Sequence, residues 1–581
     1  MGMTQPQKVD KDLHALLPNN PFVPPKGDVC YIHKLPPELL SHIFSVGAAD
    51  NDGEEEDDME DYWDRLRLTE NADDSDSHGS GASSKAASEE EDDESDGEDD
   101  ETDDADSDTS GSSDFAPPWP PFQIVVSHVC RHWRNVALST PTLWTTIVVV
   151  PEARPPYDLV TTMLERSKGV PIDIYVNCEP DEPDDGNLAA AGDVPSDADL
   201  EVLYDMLTPH VHRWRTIEVS VSEYHHMFVF LNAVSDPLIS AASQLTTLQL
   251  YHHEETEEFD NFGYPSLSRS LTLFGGVAPC LTCVVLWGVH VDWDQPWIAS
   301  ASKLVELELA FHAEDVRPTW AQLTAILRSA AALQKLSLRM SGPSGEPHEW
   351  TIEPTPTSPR DLNAPILLSK ATDFVLAFHS PARAIGLLQK FAFPALKHLV
   401  LDFDSGDYTE LVDVLIGPAT STSPPSSHEQ PRSLLNRLES LKLAGLPCHS
   451  ESIEKLYGEL QNLTSLNVSL SYLDEQFLDL LCTSCTLAGR GDVWLPRLTT
   501  LYVSGTSGDV LRKVVDMRKG AGVPLASLYV EESCDLMDAD VKWFKENLAT
   551  FELFEGSDDE DAIVAFEDLQ DEDVDVWSDL D

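Results

Sequence analysis

The chain has 581 residues, of which 41% are hydrophobic, and its 37 basic and 103 acidic residues give a formal net charge of −66. This length allows roughly two to four structural units, and the hydrophobic fraction is sufficient for a core, so the chain is not disordered as a whole. A surface with this charge repels phosphate and lacks the basic stripe that nucleic-acid binding requires, so we exclude a nucleic acid as partner.

The negative charge is concentrated in two segments. Residues 50–114 hold 30 acids and 3 bases, and residues 557–581 hold 12 acids and no base. Both segments bury too little apolar surface to offset chain entropy, so we predict a disordered acidic insert and a disordered acidic C-terminal tail. The remaining 491 residues carry 61 acids and 34 bases, an ordinary and mildly acidic composition.

Short helices are predicted near the N-terminus. After a polar leader, residues 1–34, a helix is expected over 35–46, because Leu39, Leu40, Ile43 and Phe44 form one apolar stripe. Beyond the insert, a helical pattern runs over 122–138 and ends at a Ser-Thr-Pro sequence. A β-branched run over 147–149 then predicts a short strand.

The body of the chain, residues 151–556, repeats a pattern of two apolar positions three apart, followed by a third two further on. The pattern starts at residues 245, 281, 304, 333, 396, 438, 463, 498 and 525, with weaker copies at 144, 214 and 371. Neighbouring starts 23 to 27 residues apart fall in the range of leucine-rich repeats. Since such units bury their leucines only by stacking, the pattern predicts an α/β repeat protein, an irregular leucine-rich-repeat solenoid.

The two N-terminal helical segments resemble an F-box. The resemblance rests on Leu-Pro-Pro-Glu-Leu-Leu at 35–40, on Val-Cys-Arg-His-Trp-Arg at 129–134 and on Leu143-Trp144, and it is closest to F-box-like proteins abundant in mushroom-forming fungi. In that family a three-helix unit docks on a Skp-type adaptor, which bridges to a cullin scaffold. The domain would span 35–150, interrupted by the acidic insert.

The resemblance implies a set of adaptor-binding positions. The family uses these positions for adaptor docking or for the small core beneath it, and here they are Leu35, Pro36, Leu39, Ile43, Val129, Cys130 and Trp144. A small helical unit with more apolar side chains than it can bury also exposes an apolar patch, and such patches mark partner sites. The alternative is that these residues are only the core of a helical cap on the first repeat.

The repeats predict a second binding surface. Strand side chains alternate, so residues between the repeat leucines lie on one face, and exposed aromatic residues beside charges are typical of binding hot spots. The predicted target-binding residues are Gln249, Tyr251, Trp287, Glu306, Glu308, Lys335, His398, Lys442, Asn467, Tyr502 and Tyr529.

Catalytic and metal motifs have little support. Two Cys-x-x-Cys pairs, at 280–283 and 482–485, lie several repeats apart, whereas zinc needs four ligands within reach. His225-His226 and His252-His253 are interpreted as surface histidines in polar loops. Nine scattered cysteines, no signal-peptide core and no apolar run near 18 residues predict a reduced protein of the cytoplasm or nucleus, without a membrane partner.

The favoured hypothesis is a non-catalytic substrate receptor of a cullin-type ubiquitin ligase, without a cofactor. The helical segments would hold the Skp-type adaptor, and the repeat face would hold an unidentified target protein. The alternative is an acidic scaffold or histone-chaperone-like protein with an F-box remnant that does not dock. An enzyme built on the repeats is the least supported class.

Overall fold

The computed structural model describes residues 32, 35–48, 122–151, 153–179, 194–239, 241–252, 261–269, 271–352, 364–403, 405–417, 433–468, 476–482, 484–485, 492–532 and 534–554. The predicted acidic insert and acidic tail lie outside these ranges, as does the leader apart from Ile32. The described residues belong to two units that meet in sequence at Leu143 and Trp144. We describe each unit by itself.

The first unit is helical. Helix α1 spans residues 37–48, α2 spans Phe122–Val129 and α3 spans Arg131–Ser139. The sequence predicted one continuous helix over 122–138, and this is wrong, because Cys130 has extended backbone angles and begins a new helix. The Cys130 thiol accepts a hydrogen bond from the Trp133 amide at 3.4 Å, which caps α3 at its N-terminus.

The second unit, from Trp144 to residue 554, is an α/β structure with a long parallel sheet. In the described part of the chain fourteen strands pair in the order β1-β2-β3-β4-β5-β6-β7-β9-β11-β12-β13-β16-β17-β18. Their bounds are Thr146–Val149, Ile172–Asn177, Trp214–Val221, Thr247–His252, Cys283–Trp287, Glu306–Ala310, Lys335–Arg339, Asp373–Ala377, His398–Asp402, Ser440–Gly445, Ser465–Val468, Thr500–Val503, Ser527–Glu531 and Thr550–Phe554. Short pairs are formed by β8 (Ile366–Leu367) with β10 (Phe391–Ala392) and by β14 (Ser484–Cys485) with β15 (Asp492–Val493).

Helices connect most of the parallel strands. They are α4 to α14, with bounds Asp158–Ser167, Asp197–Leu207, Tyr224–Ala233, Pro296–Ala299, Trp320–Ser329, Pro381–Lys390, Thr409–Ile416, Ser450–Glu459, Gln476–Leu481, Gly508–Gly520 and Asp538–Asn547. Helix α8 shows why they begin where they do. The Thr319 hydroxyl accepts from the Gln322 amide, and the Gln322 side chain accepts from the Thr319 amide, which satisfies two donors of the first turn.

The strand register aligns the repeated leucines. Leu307 of β6 lies beside Val284 of β5 and Leu336 of β7, and each of the three is fully buried. The alternate positions of each strand point to the opposite face, which we call the polar face of the sheet. The predicted repeat pattern therefore coincides with strands, and the long parallel α/β sheet agrees with a solenoid-like repeat. The first strand, β1, already pairs with β2, so the sheet begins before the predicted boundary at residue 150.

Each of four strands in the middle of the sheet is followed by a residue in the left-handed backbone conformation. Gly288, Phe311, Met340 and Phe378 have φ between 44° and 64° and follow β5, β6, β7 and β9. The amide of each one donates to a carbonyl at the end of the next strand of the sheet, at 2.8 to 2.9 Å. For non-glycine residues this conformation costs roughly 1 kcal/mol, and the regular inter-strand hydrogen bonds offset that cost.

Candidate functional site

Helix α1 carries two neighbouring rows of apolar side chains, one buried and one exposed. Leu40 and Phe44 are buried, and the Phe44 ring lies 5.0 Å from the ring of Trp133 on α3, between centroids. The second row is accessible to solvent, since Leu39, Ile43 and Val46 are 52%, 48% and 46% exposed. Their spacing places all three on one side of the helix.

Polar and close contacts hold α1 against the segment that follows the insert. The Ser41 hydroxyl lies 2.8 Å from the Thr140 hydroxyl. Near the end of α1, a Cβ atom at Gly47 would lie 2.6 Å from the tip of the Phe122 ring, so a larger residue there would displace this ring of α2. The two sequence segments therefore fold into one helical unit, although about 70 residues separate them.

Helix α2 adds further exposed apolar side chains. Val125 and Val129 are 43% and 57% exposed and are spaced four apart, so they share one side of α2, while Val126 is buried. We call Leu39, Ile43, Val46, Val125 and Val129 the apolar stripes of the helical unit. Small soluble units rarely expose this many large apolar side chains without a partner.

The seven predicted adaptor-binding residues divide by exposure. Leu39, Ile43 and Val129 belong to the apolar stripes, and Pro36 is exposed, whereas Leu35 and Cys130 are half-buried. Trp144 is fully buried and carries the Arg166 guanidinium 4.2 Å from its ring centroid. Of the two roles that the resemblance implies for these positions, docking and core, Trp144 has only the core role available, because the ring has no accessible surface for direct contact with a partner.

The polar face of the sheet carries a row of aromatic rings at its strand ends. Ring centroids lie 5.6 Å apart for Tyr251 and Trp287, 5.2 Å for Trp287 and Phe311, and 5.8 Å for Phe311 and Phe378. All four rings are half-buried. Phe311 and Phe378 were missed from the sequence, since they follow their strands and reach the row only through a left-handed backbone.

Charged groups in the middle of the polar face are compensated. Lys335 pairs with Glu306 at 2.9 Å, and Glu308 accepts the Trp287 indole N–H at 2.7 Å while Arg339 lies 3.7 Å away. The Cys283 thiol also donates to Glu306 at 3.6 Å, and burial raises its pKa well above the ordinary value, so this thiol stays protonated and unreactive.

Three predicted target-binding side chains are less accessible than expected. Glu308, Lys442 and Asn467 are 9%, 5% and 5% exposed, so the prediction that they lie on an accessible surface is wrong. Glu308 contacts the side chains of Trp287 and Arg339 on the two neighbouring strands, which accounts for its burial. The other predicted residues are half-buried: Gln249, Tyr251, Trp287, Glu306, Lys335, His398, Tyr502 and Tyr529.

The last strands of the sheet hold a separate group on the polar face. The rings of Tyr502 and Tyr529 stack 4.4 Å apart with an interplanar angle of 9°. Glu531, Glu552 and Phe554 lie on the same face of β17 and β18, and Tyr502 lies 6.5 Å from Phe554 between centroids. We call these five residues the tyrosine patch. Its carboxylates and Phe554 were missed, because Glu531 follows the last apolar position of its repeat and the sequence around β18 was not recognised as a repeat.

The interpretation of two histidines as surface residues in loops is wrong. His226 lies in α6 and His252 in β4, and they are 8% and 3% exposed. Burial lowers the pKa of His252 to about 4. Within the described ranges, no group of three or more His, Cys, Asp or Glu side chains is arranged to hold a metal ion.

Comparison with known proteins adds no assignment. No family model matches the chain, and no curated protein matches it. Among the described residues, no helix is long and apolar enough to cross a membrane. The apolar stripes and the polar face of the sheet are therefore the features of the molecule that point to a function.

Proposed function

We propose that this protein is a non-catalytic substrate receptor of a cullin-type ubiquitin ligase. In this proposal the helical unit docks on a Skp-type adaptor, and the polar face of the sheet holds the target protein. The observation that carries the proposal is the exposure of the apolar stripes on two helices that pack together through other residues. This is the separation of docking surface and internal core that an F-box-like unit requires.

The stripes can contribute substantial binding energy. Leu39, Ile43 and Val129 each leave about half of the side chain exposed. Covering the exposed half of such a side chain contributes roughly 1 kcal/mol, so the three together contribute about 3 kcal/mol. Because the partly buried stems are already fixed in packed helices, little further side-chain entropy is lost on docking.

In this proposal the repeat unit positions the target protein and does not catalyse a reaction. Its parallel strands fix aromatic rings and charges on one face, and a target held there is kept near the transferring enzyme at high effective concentration. The buried Cys283 thiol and the buried histidines have pKa values shifted away from those of useful nucleophiles or bases at neutral pH.

Co-purification with a Skp-type adaptor tests the proposal. The full chain is compared with a variant carrying Leu39→Asp and Val129→Asp, which places two charges in the docking surface. We expect the wild type to recover adaptor in near-stoichiometric amount and the variant to recover at least tenfold less, since a desolvated unpaired carboxylate costs more than the lost apolar contact.

A matched control separates docking from general surface effects. Leu159 on α4 and Val202 on α5 are 43% and 42% exposed, similar to the stripe residues, but they lie in the repeat unit. The Leu159→Asp, Val202→Asp variant should recover as much adaptor as the wild type. Equal adaptor recovery by all three proteins, or none by any of them, would exclude the receptor function.

A further inference from the structure

The tyrosine patch combines stacked aromatic rings with carboxylates on three adjacent strands. Register places Tyr502 of β16 beside Tyr529 of β17 and Glu552 of β18. Two residues further along, Glu531 lies beside Phe554. Since strand side chains alternate, all five point to the polar face of the sheet.

The two tyrosine rings form one aromatic surface at this end of the sheet. They stack nearly parallel, and both side chains are half-buried, so part of each ring remains accessible. The side chains beside the rings on this face are short, because the first position of each strand holds a small polar residue: Thr500, Ser527 or Thr550. An extended segment can therefore approach the rings without meeting a bulky neighbour.

The carboxylates of the patch differ from the other glutamates of the polar face. Glu306 and Glu308 are matched by Lys335 and Arg339, as described above. In contrast, the carboxylates of Glu531 and Glu552 make no ion pair or side-chain hydrogen bond in the described part of the chain, and Glu552 is exposed. The exposed-face positions of β16, β17 and β18 contain no basic residue.

A buried hydroxyl next to the patch also lacks a partner. Ser504 follows β16 and continues the alternation of Thr500 and Tyr502. Its side chain is 8% exposed, and within the described residues its hydroxyl has no hydrogen-bond partner. This oxygen is too buried for direct contact with a ligand, but a ligand with several N–H donors would supply the hydrogen bonds that the two carboxylates can accept.

We propose that the tyrosine patch binds an arginine side chain in an extended basic segment of a partner protein. A guanidinium group is planar and always charged, so it stacks on an aromatic face and donates two parallel hydrogen bonds to a carboxylate. Lysine offers a point charge and matches this geometry less well. Naming the partner as the ligase target rests on the proposed function, but the arginine site itself does not.

The acidic sequence that follows β18 attracts basic partners without selecting arginine. Residues 557–581, which follow β18 closely in sequence, carry 12 acids and no base. Such charge accelerates the encounter with any cationic segment and is screened by salt. Selectivity for arginine over lysine at physiological salt is therefore the property that reports on the patch itself.

Fluorescence anisotropy with the full chain tests the proposal. The probes are three labelled Gly-Ser nonapeptides that contain three arginines, three lysines or three citrullines, each titrated in 0.15 M salt. We expect the arginine probe to bind about fivefold more tightly than the lysine probe, and the citrulline probe to bind least. Glu531→Gln with Glu552→Gln should weaken arginine binding roughly tenfold, and Tyr529→Leu should weaken it several-fold at unchanged charge.

The control removes the same charge elsewhere. Glu201 on α5 and Glu454 on α11 are exposed, so Glu201→Gln with Glu454→Gln should change arginine binding less than twofold. Equal loss in the control and the patch variants, or equal binding of the arginine and lysine probes, would overturn the proposal. The Leu39→Asp, Val129→Asp variant should bind the arginine probe normally, so loss of adaptor recovery and loss of arginine binding are scored separately.

Discussion

Lowering the pH from 7 to 5 is expected to destabilise the repeat unit through two histidines that follow strands β6 and β9. Burial lowers the pKa of His312 to about 3, and the nearby Arg317 adds to this effect. Burial likewise lowers the pKa of His379 to about 3, with smaller contributions from Arg383 and Arg317. Desolvation keeps both rings neutral, although the Nε2 atoms of His312 and His379 donate to the Val289 and Leu338 carbonyls and these hydrogen bonds oppose the lowering of the pKa.

The direction of the change in unfolding free energy follows from the number of protons that the folded and unfolded states bind. In the unfolded chain a histidine has a pKa near 6.5, so between pH 6.5 and 3 the unfolded state binds more protons than the folded state. The contribution of each ring to stability is therefore complete above pH 6.5 and is lost as the pH falls toward 3. Between pH 7 and 5 the loss is about 2 kcal/mol for each ring, or about 4 kcal/mol for the pair. That is a large part of a typical unfolding free energy of about 5–15 kcal/mol.

Urea denaturation followed by tryptophan fluorescence at both pH values measures this loss. His312→Gln retains an amide donor for the Val289 carbonyl and an acceptor for the Ser341 hydroxyl, which lies 2.9 Å from His312 Nδ1, but it cannot titrate. Whatever its stability at pH 7, the variant should lose about 2 kcal/mol less than the wild type between pH 7 and 5. His348→Gln, at an exposed histidine, should leave the loss unchanged. The same loss in the wild type and in His312→Gln would show that His312 does not cause the decrease in stability.

Two further predictions concern a buried arginine and the acidic insert. The Arg518 guanidinium is fully buried and donates to the carbonyls of Trp494, Leu495 and Leu498 at 2.9 to 3.1 Å, so Arg518→Met should lower the free energy of unfolding by about 3 kcal/mol. A shift in the urea midpoint equivalent to less than about 1 kcal/mol would contradict this account. Deleting residues 55–114 shortens the connection between α1 and α2 and should increase amide protection of α1 about tenfold, by reducing loop-closure entropy. Lost protection of α1, or lost adaptor recovery, would show that the insert is required, and loss of binding to basic proteins alone would support the acidic-scaffold alternative.

The leucine pattern predicts most of the sheet because it is a local signal. A buried strand face needs apolar residues two apart, and the preceding apolar position packs beneath the turn, so each repeat marks its own strand. Strands β2 and β18 were not predicted, for different reasons. In β2, Ile172, Ile174 and Val176 alternate correctly but lack a repeat-spaced leucine before them. In β18 the spacing is present at Leu548, Phe551 and Leu553, but a phenylalanine replaces the strand leucine, and the copy was overlooked.

Accessibility was harder to predict than secondary structure. The alternation assigns Lys442 and Asn467 correctly to the polar face, but alternation fixes only the face of a side chain and not its accessible surface, which the surrounding tertiary packing decides. His226 and His252 were misassigned because polar neighbours in sequence suggested loops, while the fold places both inside regular elements. The tyrosine patch required the register of three strands, since Tyr502 and Glu552 are far apart in sequence.

The free energies of loop closure and of side-chain burial also explain how the helical unit tolerates a long insert between α1 and α2. The connection from α1 to α2 has 73 residues, and closing a loop of that length instead of one of about ten residues costs only about 1.5–2 kcal/mol. Burial of Leu40 and Phe44 contributes roughly 2 kcal/mol for each side chain, and the Ser41–Thr140 hydrogen bond adds about 1 kcal/mol. Packing therefore exceeds the entropy of the longer connection, which is compatible with the docking of α1 on α2 and α3. Because the packing uses Leu40 and Phe44, it leaves Leu39 and Ile43 on the other side of α1 about half exposed.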